Sequence, residues 1–290
     1  MSGASLSDGT VLVVGADGLV GSALAESFGA CGSVVVASRR KGSMLHPLDL
    51  SKDPSTWELP QQVSVAFLCG AVTSLQMCRE KPMESRQINV TNTVALAQRL
   101  RALGARVVFF SSGLVFDGTK PFQSEADTVN PQCEYGRQKA ETECMLLAMG
   151  KSVAIVRLTK VVAPELPLFW RWAEDLRAGR VVRPFSDYVM SPITLGLVAE
   201  AMRRLALNWS GGVWHVGADA QVSYTEAAFR LATRLGACAD LVQPTTSREA
   251  GVDLETVPMH TTLGTTRLQT ELGLAPPPAL AVLDECFASL

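Results

Sequence analysis

The stretch Val11-Leu12-Val13-Val14-Gly15-Ala16-Asp17-Gly18-Leu19-Val20-Gly21 opens this chain with an apolar run that passes directly into glycines spaced GxxGxxG. A helical pattern follows at Gly18–Ala30. Glycines in this setting allow a tight turn, let backbone N–H groups approach a pyrophosphate, and permit close packing of helix on strand, while the helix N-terminus favours an anion. A surface turn could carry three glycines too. The position between a strand and a helix predicts a dinucleotide-binding turn, with Gly15, Asp17, Gly18, Leu19, Val20 and Gly21 as candidate cofactor contacts.

Working outward, short β-branched runs alternate with helical stretches through the first half of the chain. Strands are expected at Thr10–Val14, Ser33–Ala37, Ser64–Cys69, Arg106–Ser111 and Ser152–Leu158. Helices are expected at about Pro82–Leu103, where Leu96, Leu100 and Leu103 give part of an apolar stripe, and at Pro131–Met149. This alternation predicts an α/β fold, a Rossmann-type doubly wound parallel sheet covered on both faces. After Thr159 the pattern loosens. Helices are expected at Leu168–Ala178, Thr194–Leu207, Ser223–Leu235 and Pro278–Leu290, with one strand at Gly212–Val216. The division is thus a nucleotide-binding domain over residues 1–158 and a smaller substrate-binding lobe over 159–290, whose strand near 212–216 returns to the main sheet.

The second strand ends Ala37-Ser38-Arg39-Arg40-Lys41. An acidic residue there would hydrogen-bond an unphosphorylated ribose; instead Ser38, Arg39 and Arg40 offer a hydroxyl and cations where a 2′-phosphate would lie, which points to NADP(H). A solvated basic turn would look the same.

Bulk properties bound the function. The chain has 290 residues, 47% hydrophobic and 19% charged, with net charge −2, values that exclude a disordered protein and a strong nucleic-acid field. The polar N-terminus lacks the features of a signal peptide, and no apolar run is long enough to span a membrane, so a cytoplasmic protein with no membrane partner is expected. Seven scattered cysteines and three distant histidines offer no metal-ligand spacing, and none is expected to hold a metal. A homodimer is the default assembly.

Tyr135-Gly136-Arg137-Gln138-Lys139 is the most informative chemical motif. Residues four apart share one helix face, so Tyr135 and Lys139 can point into the same cleft, and an ammonium near a phenol lowers its pKa. Ser111-Ser112 ends a strand about two dozen residues earlier, where an open parallel sheet faces its ligand crevice.

Together GxxGxxG, Ser111-Ser112-Gly113-Leu114-Val115-Phe116-Asp117-Gly118 and Tyr135-Gly136-Arg137-Gln138-Lys139 resemble the extended short-chain dehydrogenases/reductases, and within them the dTDP-4-dehydrorhamnose reductase-like sugar-nucleotide-binding family. The likeness continues through Phe185–Pro192 and Thr261–Leu268. It implies an NADPH-dependent oxidoreductase that reduces a keto group on a nucleotide-linked deoxy sugar. Ser112 would bond the substrate carbonyl, Tyr135 would protonate the forming alkoxide and Lys139 would hold the nicotinamide ribose. Cofactor contacts would extend to Asp49 and Leu50, to Cys69, Gly70 and Ala71, and to Asn89. Asp49 reads equally as a loop or cap residue, and Asn89 equally as a helix-interior amide bonded to backbone. The catalytic hydroxyl could be Ser111 rather than Ser112. Substrate contacts would come from Ser112, Val115, Arg183, Tyr188 and Met190, with Asp187, Ser191 and Arg248 as further candidates.

The chain also departs from the family pattern. Gly113-Leu114 stands where an Asp and an aromatic residue are usual, and Val161-Val162-Ala163-Pro164 replaces an aromatic loop. An epimerase with retained cofactor, or an NADP-binding regulatory subunit resembling the methionine adenosyltransferase beta subunit, would show the same fold.

Overall fold

The computed structural model describes residues 9–30, 33–39, 46–251 and 257–290. Seven strands form one parallel sheet: β1 (Thr10–Val14), β2 (Val34–Ser38), β3 (His46–Pro47), β4 (Val63–Leu68), β5 (Arg106–Ser112), β6 (Val153–Leu158) and β10 (Gly212–Val216). Their order is β10-β6-β5-β4-β1-β2-β3. The chain winds outward from β1 through β2 to β3, then returns to the other side of β1 at β4. Ligands of open parallel sheets sit at the carboxyl ends of the strands where the winding reverses, here β1 and β4.

Alternation along the strands explains the two layers of core. Val11, Val13, Val65, Phe67, Val108, Phe110, Ala154 and Val156 face one side, and Leu12, Val14, Ala66, Leu68, Val107, Phe109, Val153 and Ile155 the other. The second side is covered by α4 (Thr93–Ala102) through Leu96, Ala97 and Leu100, and by Leu146 of α5 (Glu134–Leu147). The first is covered by α1 (Leu19–Gly29), α6 (Pro167–Arg177), α7 (Leu195–Leu207), α8 (Tyr224–Leu235), α9 (Thr266–Leu272) and α10 (Ala279–Phe287). One core therefore runs unbroken past residue 158, from Phe28 to Phe169, Trp214 and Phe287. The strand expected at Gly212–Val216 is β10, paired in parallel with β6 from Gly212↔Ala154 to Val216↔Leu158.

The helix expected over Pro82–Leu103 is present and runs without interruption from Pro82 to Ala102, but it widens in its middle. It comprises α3 (Pro82–Arg86), a π-helical stretch at Gln87–Asn92 and then α4, and a short helix α2 (Leu75–Glu80) precedes it. In that wide turn the Thr93 hydroxyl donates to the carbonyl of Ile88 at 2.8 Å. Beyond β6, β7 (Lys160–Val162) pairs in parallel with β9 (Pro192–Thr194), and β8 (Val189–Met190) in antiparallel with β11 (Val222–Ser223). Among the described residues no helix is long and apolar enough to cross a membrane.

Candidate active site

The glycine turn is built by contacts that a side chain would forbid. Gly15 has φ +81, and a Cβ there would lie 2.6 Å from the backbone nitrogen of Gly70. A Cβ on Gly21 would lie 2.2 Å from the Gly15 carbonyl oxygen, so α1 can approach β1 only with glycine at that position. Gly18 caps α1 without a side-chain hydrogen bond, leaving its first-turn amides at Leu19 and Val20 to be satisfied from outside. Leu19, Asp17 and Gly18 are exposed beside them, and Val20 is half-buried. This fits a pyrophosphate at the helix terminus.

Around the turn, Ser38 donates to the Asp17 carboxylate at 2.9 Å. Arg39 is exposed directly after β2, and Arg40 lies outside the described residues. Asp49 accepts from the Ser51 amide at 2.9 Å, the local turn that its alternative reading anticipates. Leu50 packs 3.2 Å from where a Cβ on Gly70 would stand, which brings the 49–50 and 69–71 loops together beside Gly15. Asn89 is 1% exposed, and its amide is taken up inside the protein. Its oxygen accepts from the Val72 amide at 2.8 Å, and its nitrogen donates to the Val72 carbonyl at 3.0 Å and to Gln138 at 2.8 Å. It braces the loop after β4 against α5 and does not face the cleft.

At the end of β5 the two serines separate by strand alternation. Ser112 lines a cavity of about 310 Å3, whereas Ser111 does not, and the buried Ser111 hydroxyl has no hydrogen-bond partner. Ser112 Oγ accepts from the Leu114 amide at 3.2 Å, which fixes the oxygen and leaves its own hydrogen available. The short 3-10 turn Gly113–Val115 follows. It points Val115 away from the cavity, fully buried against Phe116 and Leu263, so Val115 is not the substrate contact expected of it.

Helix α5 lies directly on that turn. A Cβ at Gly136 would be 2.2 Å from the Leu114 carbonyl oxygen, which explains the glycine between Tyr135 and Lys139. Cys133 caps the helix, its Sγ accepting from the Gly136 amide at 3.4 Å. Tyr135 lines the cavity at 9% exposure. Lys139 lies behind it, 5.6 Å from the centre of its ring, and donates to the Phe110 carbonyl at 2.8 Å. Burial lowers the Lys139 pKa to about 8, against the opposing pull of Glu143 and the thiols of Cys69 and Cys78. Burial also pushes the Tyr135 phenol well above its usual range, with Cys78 and Cys133 adding to the rise. The expected lowering of that phenol by the ammonium is thus overturned by desolvation, and Tyr135 keeps its proton.

A buried ionic network ties α5 to the rest of the sheet. Arg157 on β6 donates to Glu143 at 3.0, 3.1 and 2.6 Å, and its guanidinium stands 3.3 Å from His215 on β10. His215 Nδ1 reaches the Gly264 carbonyl at 3.0 Å. Burial, reinforced by the Arg157 charge, lowers the His215 pKa to about 4, which keeps the ring neutral. Among the described residues no group of His, Cys, Asp or Glu could hold a metal ion.

Of the expected substrate contacts, Tyr188 and Met190 line the cavity. Arg183 is exposed and does not, because its segment runs beside residues 242–245 instead. Asp187 is occupied by the amide and hydroxyl of Ser247, at 3.0 and 2.7 Å, and buried Ser191 accepts from the Ala218 amide at 3.3 Å. The cavity also recruits Thr73, Gln132, Lys160, Tyr224, His260 and Thr261, which the sequence reading missed. They come from five separate stretches, and none carries a local motif.

Residues 9–290 match the RmlD substrate binding domain. A probable low-salt glycan biosynthesis reductase, Agl14 of Haloferax volcanii, is 28% identical over 95% of this chain and 97% of its own. The dTDP-4-dehydrorhamnose reductase of Burkholderia thailandensis is 27% identical over 74% of each. The methionine adenosyltransferase 2 subunit beta of Bos taurus is 32% identical, but over 51% of this chain and 46% of that subunit. In three dimensions, dTDP-4-dehydrorhamnose reductase from Bacillus anthracis in complex with NADP superimposes with TM-score 0.85 at 18% identity, covering 98% of this chain and 100% of that one. MoeE5 in complex with UDP-glucose and NAD gives 0.81 at 22%, covering 97% and 98%. The glycine turn, the Ser112–Tyr135–Lys139 arrangement and a match over nearly the whole length agree: the chain belongs to the RmlD substrate binding domain family.

Proposed function

We propose that this protein is an NADP(H)-dependent reductase acting on the keto group of a nucleotide-linked deoxy sugar. The observation that carries the reading is the convergence of Ser112 and Tyr135 on one cavity wall, with Lys139 directly behind the phenol. A module that only binds nucleotide has no need of that set. Relatives named as reductases, matched over 97% and 74% of their own lengths, support the same class.

The residues present fit a dinucleotide, as the uncapped start of α1 and the glycine packing show. Leu19 and Val20 amides would hold the pyrophosphate, and Arg39 with Ser38 would meet a 2′-phosphate. When bound, the nicotinamide supplies a hydride. Ser112 donates its hydroxyl hydrogen to the substrate carbonyl and orients it. Tyr135 delivers its proton to the carbonyl oxygen as that oxygen gains charge. Lys139, held by the Phe110 carbonyl, positions the ribose and places a positive charge where the phenolate forms. Tyr188 and Tyr224, with ring centres 5.4 Å apart, give the lobe an aromatic wall for the sugar or base.

The experiment is NADPH oxidation on adding a freshly generated dTDP- or GDP-4-keto-6-deoxy sugar. Consumption of NADPH is expected, and Tyr135→Phe should cut the rate by about 10²–10⁴-fold while NADPH binding persists. The likeness to the methionine adenosyltransferase subunit supports a second reading, a regulatory NADP-binding subunit. NADPH that binds but persists with every keto sugar, together with co-purification of a partner enzyme, would favour it.

A further inference from the structure

Beneath α5 lies a row of buried polar side chains that the reaction above does not use. Its placement follows from strand register. Ser111 on β5 is the Cα partner of Arg157 on β6, and Arg157 is the Cα partner of His215 on β10. Alternation puts all three on the face covered by α5, because Phe109, Ile155 and Val213, two residues before them, pack in the same layer as Leu146 of that helix. All three are buried. Ser111 carries no charge and His215 is kept neutral by its burial and by Arg157, so Arg157 is the cation of the row.

Helix α5 meets this row with Glu143. Arg157 grips both of its carboxylate oxygens, and the other face of the guanidinium rests 4.9 Å from the ring centre of Phe116, a residue of the cavity wall. Glu143 follows Lys139 by four residues, so the two share one helix face with Cβ atoms about 6 Å apart. Both are buried. The Lys139 ammonium leans toward the start of the helix, 5.6 Å from the ring centre of Tyr135 and 4.4 Å from that of Phe109, with the Phe110 carbonyl as its acceptor. Other titratable groups that act on it are the thiols of Cys69, just past β4, and Cys78 on α2. Among the described residues Glu143 is thus the carboxylate that acts on Lys139. An ion pair that only fastened α5 to β6 could stand anywhere along the helix; this one stands one turn from the lysine of the catalytic set.

We propose that Glu143, clamped by Arg157, is a positioning residue that holds Lys139 as an ammonium aimed at the Phe110 carbonyl and the Tyr135 ring, so that a positive charge is in place when the phenolate forms. A lysine taken out of water favours its neutral form unless an opposite charge stands close by. Arg157 keeps that opposite charge fixed and paired, since a lone buried carboxylate would itself be costly. The part played in reduction rests on the reductase reading, whereas the charge on Lys139 does not.

The test is the titration of Lys139, read in two ways in the natural protein and in Glu143→Gln. One reading is NMR of isotope-labelled lysine side chains, with Lys139 assigned by the signal lost in Lys139→Arg; the other is the alkaline limb of kcat/KM. In the natural protein the midpoint is expected at about pH 8. Glu143→Gln keeps the shape, removes the charge and leaves Arg157 as an unopposed cation, so both readings should move down by about one pH unit, with about a fivefold loss of kcat/KM at pH 8. Glu143→Asp, which keeps the charge, should recover most of that shift. A merely structural pair gives the opposite sign, because a loosened α5 admits water and Lys139 then titrates nearer the ordinary lysine value. A rise, or no movement, in the NMR titration of Glu143→Gln would overturn the proposal. Should that variant fail to fold, Glu143→Gln/Arg157→Met leaves no buried charge unmatched and should again lower the midpoint, by less; a midpoint that rises or stays would overturn the proposal equally. Failure of the reductase reading is seen separately, as a shifted NMR titration in a protein that consumes no NADPH with any keto sugar.

Discussion

Lys139 is charged below about pH 8 and neutral above it, because its burial outweighs the pull of Glu143. In the proposed reaction its ammonium places positive charge beside the forming phenolate, so kcat/KM for reduction should fall as pH rises through about 8. Lys139→Arg should remove that limb, since a guanidinium does not titrate there. A limb that stays in place would assign it to another group. His215 gives the opposite test on stability. Its folded pKa of about 4 lies below its ordinary 6.5, so between those values the unfolded chain binds a proton that the fold rejects. Stability is complete above pH 6.5 and should decline by about 3 kcal/mol as pH falls to 4. Urea unfolding across that window should show a shallower decline in His215→Gln, and an equal decline would mean that the acid sensitivity lies elsewhere.

At the scale of elements, two glycines set how closely helices approach strands. In Gly21→Ala the methyl would strike the Gly15 carbonyl and push α1 off β1, so NADPH affinity should drop by about tenfold or more at a packing cost of roughly 1–3 kcal/mol. In Gly136→Ala the clash is with the Leu114 carbonyl, which displaces α5 from the Ser112 turn. Turnover should then fall on the order of 10²-fold with NADPH binding nearly intact, as expected when reacting groups are misplaced by about an ångström. A variant that loses both equally would argue that α5 also shapes the cofactor site. The main strands were legible in the sequence because each is a short apolar, mostly β-branched run, and α5 as a helix around Tyr135 and Lys139, though it starts at Glu134 and not at Pro131. The π-helical widening in the segment 82–103 was not legible. Its apolar stripe is helical throughout, and the wide turn at Gln87–Asn92 depends on Asn89 and Thr93 finding partners distant in sequence or five residues back. The pairings of β7 with β9 and β8 with β11 are too short to leave a pattern. Val115 and Arg183 were misassigned because a single 3-10 turn and a loop decide where those side chains point.

Across the whole molecule, a core layer on each face of the sheet leaves the cavity at the carboxyl ends of β5 and β6, and one of these layers joins the sheet to the helices after residue 158. The cavity wall is assembled from distant stretches, and so only its motif-bearing members, Ser112 and Tyr135, could be anticipated along with Tyr188 and Met190 from the resemblance. A dinucleotide that binds only the folded state stabilises it in proportion to the logarithm of its concentration, by about 2.7 kcal/mol at 100 times its Kd. NADPH should therefore raise Tm more than NADH at equal concentration, and Arg39→Ala should bring the two shifts together. Identical shifts in the natural protein would contradict the 2′-phosphate assignment. In the proposed reaction hydride passes from the cofactor to a keto sugar and leaves with the product. The direct measurement is turnover of a 4-keto-6-deoxy nucleotide sugar with NADPH deuterated at the transferring position, followed by mass spectrometry of the sugar. One deuterium in the alcohol product is expected for each NADPH consumed, with none in Tyr135→Phe over the same interval. A product that forms without deuterium and without net oxidation of the cofactor would contradict it.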